Sequence, residues 1–124
     1  MIRGIEHTAI TSPQPKVLAA WYVATLGFTV CYESASTMMV RAQNGHILEI
    51  TSAEGDRPPQ TLKTPGLRHL AILVDDFDAV YQALRGQQVN FVSEPAESKG
   101  NRVVFFTDPE GNYLHLLQRA QPLA

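Results

Sequence analysis

His7, Glu49, His69 and His115 are the side chains of this sequence best suited to chemistry, and their spacing is regular. His7 lies in "GIEHTAITS" and His69 in "LRHLAILV", 62 residues further on. Glu49 lies in "GHILEI" and His115 in "GNYLHLL", 66 residues further on, each four residues after its glycine. A single histidine in a strand is usually structural. Four metal-capable residues at matched places in two similar segments point instead to a shared site. Neutral imidazole and carboxylate suit one borderline or hard divalent ion, Zn²⁺, Ni²⁺, Fe²⁺, Mn²⁺ or Co²⁺. No thiolate joins them, which excludes a structural zinc finger. With four protein donors, a six-coordinate ion keeps two positions for water or substrate, as a catalytic metal requires.

The elements that must position these residues repeat. "GIEHTAITS" alternates as a strand, and Ser12-Pro13 offers a cap and a first-turn proline for a helix. Val17, Trp21 and Ala24, with Leu18 and Tyr22 beside them, form the helix stripe, and Gly27 ends it. "FTVCYES", "TMMVRAQ" and "HILEITS" read as three strands. Residues 53–66 carry three prolines and two glycines and read as a linker that could also serve as a lid. The pattern then restarts: strand 67–74, a helix with Phe77, Val80, Tyr81 and Leu84 on one face, and strands "VNFVSEP", "RVVFFTD" and "YLHLLQR". The chain is therefore expected to be one α+β domain, residues 1–124, made of two βαβββ modules at about 1–52 and 67–120.

Strand residues two apart share a face. His7 then lies with Ala9 and Thr11, Glu49 with Ile47 and Thr51, His69 with Ala71 and Leu73, and His115 with Tyr113 and Leu117. Each stands opposite an aliphatic row suited to packing under a helix, and if the two halves curl together the four converge on one concave surface. His46 has the wrong parity for that surface. Arg102, on a strand bordering it, is a candidate for holding an anionic substrate group. Phe105, Tyr113 and Met39 are candidates for an apolar substrate pocket. Arg68, with parity opposite to His69, receives no role, and Asp108 and Asn112 are assigned to the turn between the last two strands.

Net charge of −2 and a pI near 6.0 provide no basic field for nucleic acid. No apolar run approaches the roughly 18 residues that cross a bilayer, and the N-terminal residues lack the apolar core of a secretory signal. One cysteine, Cys31, forms no internal disulfide and is expected to be a small buried residue of a cytoplasmic protein.

The segments "IEHTAI", "WYVATLGFTV", "GHILEI", "LRHLAILVDDFDAVYQAL" and "FFTDPEGNYLHLL" together resemble the vicinal oxygen chelate superfamily. That superfamily includes glyoxalases, fosfomycin-resistance enzymes, extradiol dioxygenases and bleomycin-resistance proteins, and the resemblance spans about residues 3–119. It implies paired βαβββ modules whose curved sheets form a cleft around one divalent metal, with His7, Glu49, His69 and residue 115 as ligands. The family's Asp-Pro-x-Gly-Asn-x-x-Glu-Leu run places Glu where this chain has His115. The implied function is a metal-dependent lyase or isomerase of glyoxalase type acting on a small oxygen-chelating substrate, with Glu49 or His115 moving the proton. An Fe²⁺ dioxygenase and a non-catalytic drug- or metabolite-binding protein are the alternatives. The resemblance also implies a homodimer.

Overall fold

The computed structural model describes residues 1–123. The chain divides into two units, one ending at Arg57 and the other beginning at Pro58. The expected α+β arrangement, strand, helix and then strands, stated twice, is what the structure has.

In the first unit β1 (His7–Ser12) runs parallel to β4 (Ile47–Ser52), and β3 (Thr37–Arg41) and β2 (Thr29–Glu33) extend the sheet antiparallel, in the order β1-β4-β3-β2. Met38, Val40, Leu48 and Ile50 are buried on one face, against Leu18, Ala19 and Tyr22 of helix α1 (Pro15–Leu26). Burying each of these large side chains stabilises the unit by about 1.5–3 kcal/mol.

The helix departs from expectation at its start. Ser12 stays paired in β1, fully buried, and its Oγ accepts the Gln14 N–H at 2.9 Å. The helix therefore begins at Pro15, whose fixed φ suits a first helical position. Val17 is 64% exposed, so the buried row is Leu18, Ala19 and Tyr22 rather than Val17, Trp21 and Ala24. A helix apolar on almost every side gives its periodicity little power to choose between adjacent rows. Gly27 closes the helix at φ 76°, its N–H bonded to Val23 O in the single bond of a left-handed helix stop, and the Phe28 N–H is bonded to Tyr22 O. Cys31 is exposed, against the expectation that it is buried. It sits where the β2–β3 register shifts, on the sheet's edge strand, so no second strand or helix covers it.

In the second unit β5 (Leu70–Leu73) runs parallel to β9 (Tyr113–Gln118), followed by β8 (Asn101–Thr107) and β6 (Asn90–Phe91). A further strand, β7 (Ala96–Ser98), pairs with the start of β8, so "VNFVSEP" is broken into two short strands. Helix α2 (Phe77–Gly86) is capped by Asp76, which accepts the Ala79 N–H at 3.1 Å, a bond worth about 1 kcal/mol. Gln118 Oε1 accepts the Phe77 N–H at 2.7 Å and ties α2 to β9. Val104, Phe106, Leu114 and Leu116 are fully buried on the helix face, with Phe77 and Leu84 from α2 close to it in burial. Asp108 builds the turn before β9: Oδ1 accepts from Glu110 N and Asn112 N, and Oδ2 from Asn112 Nδ2 at 2.7 Å.

Candidate functional site

In each unit the face away from the helix carries the candidate residues. In the first, Glu49 stands in register between Ala9 of β1 and Met39 of β3. Its half-buried carboxylate has no hydrogen-bonding or ionic partner among the described residues. His7 is in register with Ile47, two residues from Glu49's row, and so lies diagonally from it on the same face. His7 is exposed, and its Nδ1 and Glu6 Oε1 are 2.6 Å apart. A carboxylate that receives the Nδ1 proton leaves Nε2 as the free lone pair, the arrangement common to ligating histidines. His46 lies outside, as its parity requires, with Nε2 3.4 Å from Thr8 Oγ1.

In the second unit His69 and His115 come together. Their ring centroids are 4.1 Å apart at 40°, and Phe105 meets His115 and His69 edge-on at 5.0 and 5.5 Å. Phe105 is in register with His115, and so is Ala71. His69 Nδ1 and both ring nitrogens of His115 are buried and have no hydrogen-bond partner among the described residues. Each such orphaned group costs about 1–3 kcal/mol, a cost removed when a ligand supplies the missing partner. Tyr113 shares the face of His115, and its hydroxyl donates to Gln60 O at 3.3 Å.

The electrostatics favour uncharged imidazoles. Burial lowers the His69 pKa, and the Arg68 guanidinium lowers it further. Burial, then His69, Arg68 and Arg119, lower that of His115 to about 4. At neutral pH both rings are neutral, the form that ligates metal, and His115 is a better ligand than base. This donor set, two close neutral imidazoles with three orphaned buried nitrogens, fits a divalent ion. Among the described residues, no three His, Cys, Asp or Glu side chains form a group that could hold an ion.

Two sequence expectations change here. Arg102 does not share the face of His115. It lies on the helix side of β8, its Nη2 2.9 Å from Asp78 Oδ1 and its guanidinium 4.5 Å from the Phe77 ring centroid. The reason is parity: Arg102 and Phe105 are three residues apart and point to opposite faces. Arg68, given no role by alternation, belongs to the site. Regular strand begins only at Leu70, so alternation does not extend back to Arg68. Its Nε donates to Leu62 O at 2.8 Å, and its guanidinium lies 5.1 Å from the Phe105 ring centroid.

The comparisons agree with this architecture. The family described as the glyoxalase/bleomycin resistance protein/dioxygenase superfamily matches residues 4–116. The uncharacterized protein YaeR of Escherichia coli (strain K12) is 34% identical, covering 95% of this chain and 98% of its own. A glyoxalase family protein from Enterococcus faecalis has a similar structure, with TM-score 0.78, 27% identity and coverage of 93% of this chain and 97% of its own. The structure named oxidase ChaP-H2 gives TM-score 0.76 at 26% identity, covering 96% of this chain and 95% of its own. Two units of the expected topology, carrying imidazoles on matching faces, and a family match over nearly the whole chain lead to one conclusion. The chain belongs to the glyoxalase/bleomycin resistance protein/dioxygenase superfamily.

Proposed function

We propose that the chain is a divalent-metal-dependent enzyme of lyase or isomerase type, acting on a small molecule through two adjacent oxygens. The metal donors we assign are His69 and His115, with His7 and Glu49. The observation that carries the proposal is the pair of neutral, contacting imidazoles with orphaned buried nitrogens. A bound divalent ion supplies Lewis acidity toward developing negative charge on a substrate oxygen. The chain's own residues do the rest. Glu49, a carboxylate without a partner, takes the proton from the carbon beside that oxygen and returns it to the neighbouring position. Phe105 and Tyr113 offer apolar surface that excludes water, and Arg68 adds positive charge beside the imidazoles.

The test is metal content and affinity. The purified chain is expected to bind close to one Ni²⁺ or Zn²⁺ per copy, and His69→Ala or His115→Ala to weaken binding at least about tenfold. Absence of binding at micromolar ion overturns the proposal.

A second reading, Fe²⁺-dependent oxygen chemistry, is favoured by the likeness to a structure named an oxidase and by a donor set of two histidines and a carboxylate. Oxygen consumption with Fe²⁺ and a catecholic substrate, absent with Zn²⁺, separates the two. The proposal extends to a homodimer, supported by the exposed edge strand β2 with Val30 and Tyr32, and tested by light scattering. It extends also to the cytoplasm, where the exposed thiol of Cys31 stays reduced.

A further inference from the structure

The imidazole pair stands at one end of a cavity of about 490 Å³ that lies wholly within the second unit. That volume falls in the range of small-molecule sites. Its floor follows the rows of the sheet: Ala71 and His115 first, then Val103 with Leu117, then Asn101 and Ser98. Arg119 follows His115 and Leu117 at the same parity, four residues beyond His115, or about 13 Å of extended strand. The floor is thus polar at the imidazoles, apolar in the middle and cationic at the far end.

The far end is built for charge. Lys99 and Gly100 form the two-residue turn between β7 and β8, with φ 54° and 80°. Turns with two left-handed residues favour Asn-Gly or Asp-Gly, and a lysine there is strained. At Gly100 no side chain fits, since a Cβ would stand 2.8 Å from that of Ala120. The strained lysine lines the cavity beside Arg119, and neither cation has a carboxylate partner among the described residues. Glu97 also lines the cavity, but it is in register with Arg102, on which its charge acts.

We infer that this cavity takes a small elongated acid, with its oxygen-bearing head at His69 and His115, an apolar body over Val103 and Leu117, and a terminal carboxylate or phosphate held by Arg119 and Lys99. The inference rests on the metal-dependent reading above, and it names the substrate class of that site.

The probes are Ni²⁺ alone, 2-oxoadipate, and 2-oxohexanoate, which shares the head and chain but ends in methyl. With the Ni²⁺-loaded full chain, calorimetry is expected to show 2-oxoadipate binding at least about tenfold more tightly. The double variant Lys99→Gln, Arg119→Gln brings the ratio to about one and leaves Ni²⁺ affinity unchanged. Should that variant fail to fold, the wild-type ratio decides alone. A chain that binds Ni²⁺ but holds both acids equally, or neither, or whose folded double variant keeps the preference, overturns the inference and leaves the metal reading standing. A chain that binds no Ni²⁺ overturns both.

Discussion

Acidifying the metal-free protein tests the imidazole pair most directly. Between its ordinary value of 6.5 and about 4, His115 accepts a proton in the unfolded chain but not in the folded one. Stability from this ring is therefore complete above pH 6.5 and is lost as pH falls toward 4, with little further change below. His69, also lowered, acts in the same direction. A shift of that size corresponds to no more than about 3 kcal/mol, and partial solvent access reduces it to about 1–2 kcal/mol. The assay is urea unfolding at pH 7.5, 6, 5 and 4.5 for the wild type and for His115→Leu, whose apolar side chain sits among Ala71, Phe105 and Leu117. The variant is expected to lose most of the pH dependence. Ring titration by NMR gives the microscopic check, with both histidines read together because they are coupled. A His115 titration near 6.5 in the metal-free chain, or identical pH slopes for the two proteins, refutes the reasoning.

Other outcomes follow from the same contacts. Arg102→Gln removes a contact to α2 rather than to substrate, so KM is expected to stay within about twofold while the melting temperature falls; a large KM increase with unchanged melting would restore Arg102 to the site. Asp108→Ala removes the acceptor of three hydrogen bonds in the turn before β9 and is expected to cost about 2–3 kcal/mol by urea unfolding. A loss below about 0.5 kcal/mol contradicts that account of the turn. Lys99→Asn relieves the strained turn and is expected to stabilise the protein by about 0.5–1 kcal/mol while weakening the acid-tailed probe. Gain of stability with unchanged 2-oxoadipate affinity would remove Lys99 from the acid end.

Much of this was legible in the sequence. The two halves could be read because alternating strands and a helix stripe recur, and the faces of Glu49 and His115 followed from parity within regular strands. Where the backbone is irregular, parity misleads. Arg68 precedes the strand proper, Cys31 sits at a register shift, and α1 starts three residues after its expected cap Ser12. Arg102 departs from expectation inside a regular strand, because its parity is opposite to that of Phe105 and turns it toward Asp78 and Phe77 of α2. Arg119 shares the parity of His115 and ends the expected strand "YLHLLQR", and it lies one residue past the end of β9. Lys99 gave no signal, since a lysine-glycine pair is a poor turn marker.

The segment before β5 has a consequence for engineering by insertion. Gln60 and Leu62 lend their carbonyl oxygens to Tyr113 and Arg68, so this stretch is a fixture of the second unit rather than a slack tether. Thr61 and Thr64 brace it, the Thr61 N–H donating to Thr64 Oγ1 at 2.8 Å. Residues added at 61–66 would change its length between two anchored points and swing Arg68 off the Phe105 ring. Residues added at 54–56, exposed and upstream of both anchors, would leave those bonds intact. A graft or affinity tag placed inside the chain therefore belongs at Glu54–Asp56, and homologues that vary in length across this stretch are expected to vary there.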